Sequence, residues 1–264
     1  MRRKLRLAIQ MCGLFLAVSG SAAAAAPLPE RVFVTEPFPP YTFEQNGEPA
    51  GPMVDVLKAV CTRLDWRCRI ELLPWRRALA MAERGQADGL FTVLDTPQRQ
   101  ALMRASLPVL DGRYSVFARA GQAFSYTGAA SLMGRQIGVY GPSGSSISLQ
   151  ALIESQPSGE PSQAVVEPDN LTVLRKLISG RYGPDGLAFM NENVALWLLR
   201  EHGLTGLQAA GVAKQFNYSF GLVRKRVSES EFRRFNRALG ELCRSGRTAE
   251  LIRPYALPAS PCTK

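Results

Sequence analysis

Histidine is nearly absent from this sequence, because His202 is the only one among 264 residues. Zinc and similar ions are held mainly by histidine and cysteine at short, regular spacings, and the cysteines here are not spaced as zinc ligands are. We therefore predict no metal site, and no motif indicates a cofactor. His202 directly precedes Gly203 at the predicted end of a helix, where a cation is favoured by the helix dipole.

Long apolar runs are absent after the first 26 residues, so no later segment is predicted to cross a membrane. The N-terminus has four basic residues in its first six positions, an apolar stretch over residues 7–18 and an alanine run over residues 22–26. This order is typical of a secretory signal peptide. We predict that residues 1–25 are removed on export to the periplasm.

Acidic residues are fewer than basic ones, since 22 aspartates and glutamates against 32 lysines and arginines give a net charge of +10. The predicted signal peptide holds four of the basic residues, so 28 remain against 22 and the excess falls to six. The arginines are spread along predicted helix faces and are not interleaved with aromatic residues in one patch. This distribution argues against a nucleic-acid partner.

Four cysteines follow the predicted signal peptide, namely Cys61, Cys68, Cys243 and Cys262. An oxidising compartment allows them to pair, and the sequence alone permits three pairings. The short link between Cys61 and Cys68 makes a local disulfide geometrically easy. Cys243 and Cys262 would then join the last helix to the C-terminal tail.

Apolar runs rich in β-branched residues alternate with helical patterns along the exported chain. Predicted strands cover residues 31–35, 69–73, 89–94, 135–140, 164–166, 186–190 and 219–224, and predicted helices cover residues 53–64, 75–84, 147–154, 171–179, 194–202 and 229–243. Strands that alternate with helices indicate parallel sheets flanked by helices, so the fold class is α/β. The pattern restarts after residue 134, which indicates two lobes.

Several short motifs, in this order and spacing, resemble the periplasmic solute-binding proteins of the polar amino-acid class, which serve ABC importers. They are FVTEPFPPY at residues 33–41, GPMVDVL at 51–57, PW at 74–75, GQADG at 85–89, TPQR at 96–99, GV at 138–139, GSS at 144–146, VAL at 194–196 and FGLVRK at 220–225. The resemblance implies a two-lobe clamp that binds a small solute in its cleft and delivers it to a membrane permease. A monomer is expected.

The resemblance also implies how the chain is divided between the lobes. Lobe 1 would comprise residues 26–117 and 218–264, and lobe 2 residues 118–217. The chain would cross between the lobes twice, near residues 115–119 and near residues 216–220. Closure about such crossings is a standard domain motion, because a bound ligand bridges both faces.

The anion side of the expected site contains Arg99, whose guanidinium can bind a carboxylate through two parallel hydrogen bonds. In the resembled family the arginine of the TPQR-like motif binds the ligand's carboxylate. The Gly/Ser loop at residues 141–146 leads into a helix whose free N–H groups attract negative charge, and Ser145 matches the family's hydroxyl residue. Leu94 stands where the family usually has a hydroxyl, which leaves Thr92 as the nearest one.

Aromatic residues and the amine side complete the expected site. Phe38, Tyr41 and Trp75 match family positions that pack on the ligand. Asn191 stands where the family has an aspartate that binds the ligand's α-amino group, and an amide lacks the charge to pair with an ammonium. Glu36 or Glu192 could take over that role. We therefore expect a ligand with an acid group and without a standard α-ammonium geometry.

Two other functions remain open at the level of sequence. A sensor or accessory protein could use the same closed clamp to signal to a membrane partner. A dehydratase acting on cyclic acids would need a positioned pair of titratable groups, for which Glu36 and Glu192 are the only cleft carboxylates. We expect a binding protein and no enzyme.

Overall fold

The computed structural model describes residues 30–261. Its strands are β1 Glu30–Thr35, β2 Phe43–Gln45, β3 Glu48–Ala50, β4 Arg67–Leu72, β5 Gly89–Val93, β6 Met103–Ala105, β7 Leu110–Arg119, β8 Gln136–Tyr140, β9 Gln163–Glu167, β10 Leu187–Asn191 and β11 Leu207–Val223. Its helices are α1 Pro52–Arg63, α2 Trp75–Glu83, α3 Pro97–Gln100, α4 Gly144–Glu154, α5 Asn170–Ile178, α6 Glu192–Glu201, α7 Glu229–Arg244 and α8 Arg247–Ile252.

The predicted signal peptide, residues 1–25, and Cys262 lie outside the described residues. Within residues 30–261, no helix has the length and apolar character needed to cross a membrane. The Cys61–Cys68 disulfide is present and joins the end of α1 to the start of β4, with 6.2 Å between the two Cα atoms. The pairing of Cys243 with Cys262 stays a prediction.

The first lobe is built on a sheet in which β1 lies between β4 and β5, parallel to both. The end of β11 pairs antiparallel with β5 and with β6. Strand β1 is buried because its second half carries Phe33 and Val34, which are fully buried together with Leu90 and Phe91 of β5. The predicted order of strand, helix, strand, helix, strand is confirmed here.

The second lobe repeats this arrangement with β8 between β9 and β10, all three parallel. Strand β10 also pairs antiparallel with β7, and β7 pairs antiparallel with β11 along most of its length. Helices α4, α5 and α6 pack on this sheet. The α/β class and the two-lobe clamp are thereby confirmed.

Strands β7 and β11 form the ribbon that connects the lobes. Strand β11 pairs with β7 up to Tyr218 and with β5 from Ser219 onward, so its change of partner lies within the predicted crossing at residues 216–220. Strand β7 pairs with β10 from Tyr114 onward, which puts the other crossing slightly before residues 115–119. The predicted lobe boundaries stay a prediction.

Strand β11 is much longer than the predicted strand at residues 219–224. Its first part is largely exposed and carries polar residues such as Lys214 and Gln215, so it has no continuous apolar pattern. Pairing with β7 stabilises that part instead. Helix α4 also begins earlier than expected, at Gly144, because the side chains of Ser143 and Ser146 form a capping box there.

Candidate functional site

Two adjoining cavities lie in the cleft between the lobes. The inner cavity has a volume of about 40 Å³ and is lined among others by Arg99, Thr92 and Ser145. The outer cavity has a volume of about 480 Å³. The two share the wall residues Glu36, Phe38, Trp75, Tyr140 and Asn170.

The inner cavity lies at the carboxyl ends of parallel strands from both lobes. Glu36 follows β1, Leu94 follows β5, Tyr140 ends β8 and Asn191 ends β10. Side chains at this edge of a parallel sheet converge, which is why open α/β sheets bind ligands there. The fold therefore brings residues distant in sequence to one point.

Arg99 supplies the positive charge of the inner cavity. Its side chain extends from the short helix α3, and its guanidinium lies 5.1 Å from the ring centroid of Trp75. No carboxylate of the described residues lies within salt-bridge distance of it, and the ion pairs of residues 30–261 all involve other arginines or Lys176. Burial lowers the pKa of Arg99, yet an arginine stays charged at neutral pH. Arg99 can therefore bind an anion from the cleft.

Thr92 contributes a hydroxyl without a partner. Its φ of 61° is unusual for a β-branched residue, and it lies at a bulge, because Val93 pairs with Ser219 and Phe91 pairs with Phe220. The Oγ1 atom is buried and has no hydrogen-bond partner among the described residues. Such strain and such an unsatisfied group are typical of functional sites. The hydroxyl can donate to a ligand oxygen.

The Gly/Ser loop forms the lobe 2 wall of the inner cavity. Ser143 caps α4, since its Oγ accepts hydrogen bonds from the backbone N–H groups of Ser145 and Ser146. The hydroxyl of Ser145 donates to the carbonyl of Tyr140 at 3.2 Å and lies 2.7 Å from the hydroxyl of Ser143. The N-terminus of this 11-residue helix adds a partial positive charge to the same wall.

Glu36 spans the cleft through a hydrogen bond. Its Oε2 accepts from the hydroxyl of Tyr140 at 2.8 Å, so a lobe 1 carboxyl contacts a lobe 2 phenol. Burial raises the pKa of Glu36 to about 7, although the Tyr140 hydrogen bond and the charge of Arg99 act in the opposite direction. Near neutral pH this carboxyl therefore exists in both protonation states.

Asn191 lines the inner cavity, but its amide is engaged elsewhere. Its Oδ1 caps α6 by accepting from the N–H of Val194 at 3.1 Å. Its Nδ2 donates to the hydroxyls of Tyr41 and Tyr218, both at 3.1 Å. The residue is only 2% exposed. It supplies no negative charge to the cavity.

Seven of the nine predicted site residues line the inner cavity, and two do not. The seven are Glu36, Phe38, Trp75, Thr92, Arg99, Ser145 and Asn191. Tyr41 is fully buried and supports Asn191 from behind. Glu192 is directed to Arg113 and to the hydroxyl of Ser115, so it does not replace the missing aspartate in this arrangement.

Three tyrosines of the inner wall, Tyr114, Tyr140 and Tyr218, were missed by the sequence analysis. Tyr140 directly precedes the Gly/Ser loop, and that position could have indicated it. Tyr114 and Tyr218 lie on β7 and β11, where the apolar pattern is weak. Their burial raises both pKa values, so both phenols stay neutral.

A two-lobe clamp with a charged cleft defines a class of solute-binding protein, and the comparisons with known proteins agree. Residues 31–258 match the family described as bacterial extracellular solute-binding proteins, family 3, and the chain belongs to that family. No curated protein sequence matches the chain.

Solved structures show the same fold at low sequence identity. A histidine kinase sensor domain with similarity to periplasmic binding proteins has a TM-score of 0.73 at 20% identity, over 88% of this chain and 99% of that one. A variant of ArgBP from T. maritima has a TM-score of 0.71 at 18% identity, over 86% and 95% of the chains. The arginine-, lysine-, histidine-binding protein ArtJ from Geobacillus stearothermophilus has a TM-score of 0.70 at 18% identity, over 86% and 95%.

Proposed function

We propose that the protein is a periplasmic substrate-binding protein that captures a small carboxylate-bearing solute between its lobes and delivers it to the permease of an ABC transporter. The environment of Arg99 supports this proposal most strongly. Its guanidinium is partly buried, lines the cleft and has no carboxylate partner within the described residues. A partly buried cation without an anionic partner is unfavourable, and a ligand's carboxylate would remove that penalty.

The other groups around Arg99 support an acid as the bound group. The hydroxyl of Thr92 lacks an acceptor, and the N-terminus of α4 favours negative charge on the opposite wall. A carboxylate has two oxygens, so one can pair with the guanidinium while the other accepts from Thr92. Both lobes then contact the same group, which favours the closed form.

The lack of a fully charged partner for an amine limits the class of solute that the cleft can bind. Asn191 is neutral and engaged, and Glu192 is paired with Arg113. An α-ammonium in the inner cavity would have only Glu36 nearby, and that carboxyl has a pKa of about 7. We therefore propose an acid without an α-amino group.

A sensor or accessory function is the second candidate, and the similarity to a histidine kinase sensor domain favours it. The capture step would be the same, and the closed clamp would then contact a signalling protein in place of a permease. The dehydratase alternative has less support, because Glu36 is the only carboxyl lining the inner cavity among the described residues.

A thermal-shift screen tests the capture step, since a ligand that binds only the folded protein raises its melting temperature. The screen uses amino acids, amines and small carboxylic acids on the wild type, on Arg99→Ala and on a matched control, Arg77→Ala. Arg77 is an exposed arginine that lines neither cavity. We expect an acid to stabilise the wild type and the control, and to leave Arg99→Ala unchanged.

Two outcomes would overturn the proposal. The first is that no carboxylic acid stabilises the wild type. The second is that an acid stabilises Arg99→Ala as much as it stabilises the control. Cross-linking of the ligand-bound protein in its native membrane then distinguishes transport from sensing. A cross-link to a permease would support transport, and a cross-link to a kinase would support sensing.

A further inference from the structure

The outer cavity has walls that offer few hydrogen bonds. Ten of its sixteen lining residues carry apolar side chains, and five of those ten are prolines. Proline has no backbone N–H, so these walls lack both side-chain and backbone donors at five positions. A strongly polar ligand group would lose its hydration there without replacement.

The charged groups of the outer wall already have partners or lie at its edge, and Asn170 adds a neutral amide. The carboxylate of Asp169 caps α5 by accepting from the N–H and the hydroxyl of Thr172, at 2.7 and 2.8 Å. Glu36 accepts from Tyr140. Arg76 is exposed at the rim. None of these groups creates a buried charged pocket for a second ionic group.

The inner cavity is small enough to define which part of a ligand it holds. A buried water occupies about 10 to 15 Å³ on the same measure, so about 40 Å³ holds roughly three water-sized groups. A carboxylate has three heavy atoms and therefore fills the inner cavity. The remainder of the ligand must pass between Glu36, Trp75 and Tyr140 into the outer cavity.

From these observations we infer that the ligand is a monocarboxylic acid with an aromatic or similarly flat apolar body. The inference rests on the proposed function and names its substrate class. The acid binds Arg99 in the inner cavity, and the ring lies in the outer cavity among Phe38, Trp75 and Tyr140. Aromatic side chains and prolines pack well on a flat apolar group.

Isothermal titration with four probes tests the substrate class. 3-Phenylpropionate and propionate share the acid and differ by the ring, whereas 3-phenylpropionate and L-phenylalanine share the ring and differ by the α-ammonium. L-Arginine tests whether the acidic side chains near the rim select a cation instead. We expect 3-phenylpropionate to bind about thirtyfold more tightly than propionate, because the ring is buried. We expect L-phenylalanine to bind at least about tenfold more weakly, since its ammonium meets only Glu36, whose carboxyl already accepts from Tyr140.

A variant locates the ring within the cleft. Trp75→Leu should weaken 3-phenylpropionate about tenfold while propionate changes much less. Propionate serves as the control because Trp75 also stacks on Arg99, and any disturbance of Arg99 would weaken both acids equally.

The outcomes distinguish this inference from the proposed function. Equal affinity for both acids, or tighter binding of L-phenylalanine or L-arginine than of 3-phenylpropionate, would overturn the aromatic class and leave capture of a carboxylate intact. If Trp75→Leu weakened the binding of both acids equally, the ring would not lie beside Trp75, and the inference would be overturned. Failure of every carboxylate to bind would overturn the proposed function as well.

Discussion

Replacing Glu36 with glutamine should remove a pH dependence that the burial of this carboxyl imposes. A solvated glutamate has a pKa of 4.5, and burial in the cleft raises the pKa of Glu36 to about 7. The groups that face it are Tyr140, through a hydrogen bond, Arg99, through charge, and the neutral phenols of Tyr114 and Tyr218. The buried Glu36 therefore binds its proton more tightly than it would in any arrangement that returns it to water.

The sign and the size of the effect follow from these two pKa values. Below pH 4.5 the carboxyl is protonated in both arrangements, so no penalty exists. As the pH rises towards 7 the solvated carboxyl ionises first, and the arrangement that buries Glu36 loses stability relative to an open or unfolded one. Between pH 5 and pH 8 the population ratio of the buried to the solvated arrangement falls by between one and two orders of magnitude, which corresponds to about 2 to 3 kcal/mol.

Carbon NMR of glutamate-labelled protein measures this pKa directly. The side-chain carboxyl signal that disappears in Glu36→Gln belongs to Glu36, and its titration midpoint in the ligand-free wild type should lie near 7. A stability measurement accompanies it, since Glu36→Gln should retain more of its unfolding free energy at pH 8 than the wild type does. A midpoint near 4.5 would contradict this prediction, because Glu36 would then be solvated in the ligand-free protein.

Two further predictions concern the amine side and the disulfide. Asn191→Asp keeps the acceptor that caps α6 and adds a negative charge at the inner cavity. We therefore expect L-phenylalanine to bind about tenfold more tightly and 3-phenylpropionate to bind more weakly. Titration calorimetry measures both affinities, and unchanged affinity for both ligands would contradict the role given to Asn191. Mass spectrometry of the unreduced protein should show the Cys61–Cys68 cross-link, and replacing both cysteines with serine should lower the unfolding free energy by about 2 to 3 kcal/mol in urea titration. Two free thiols at these positions, or an unchanged unfolding midpoint, would contradict that prediction.

The central strands and longer helices of the first lobe could be predicted because each has a local apolar pattern, whereas the short elements β2, β3, α3, β6 and α8 were not predicted. Helix α1 buries Val54, Leu57 and Cys61 at helical spacing, and the predicted ends lie within one residue of the observed ones. The ribbon of β7 and β11 could not be predicted in the same way. Its strands are stabilised by pairing between residues about a hundred positions apart, such as Asp111 with Asn217.

The candidate site shows the same difference between features with a local sequence pattern and features that depend on long-range contacts. Arg99 belongs to the TPQR motif, so the sequence indicated it directly, and Thr92 was indicated as the hydroxyl nearest to the position that Leu94 occupies. The engagement of Asn191 depends on Tyr41, which is 150 residues away, and on Tyr218 of the ribbon. The orientation of Glu192 depends on Arg113, which lies on β7. Contacts between residues so distant in sequence follow from the tertiary structure, and no local sequence pattern predicts them.

Crystallography with a brominated acid locates both the carboxylate and the ring of the bound ligand in one experiment. The probe is 3-(4-bromophenyl)propionate, whose bromine can be located by anomalous scattering. We expect a carboxylate on the guanidinium of Arg99 in the inner cavity and a bromine peak in the outer cavity beside Trp75. A bromine peak outside the cleft, or an empty cleft at a saturating concentration of the acid, would contradict it.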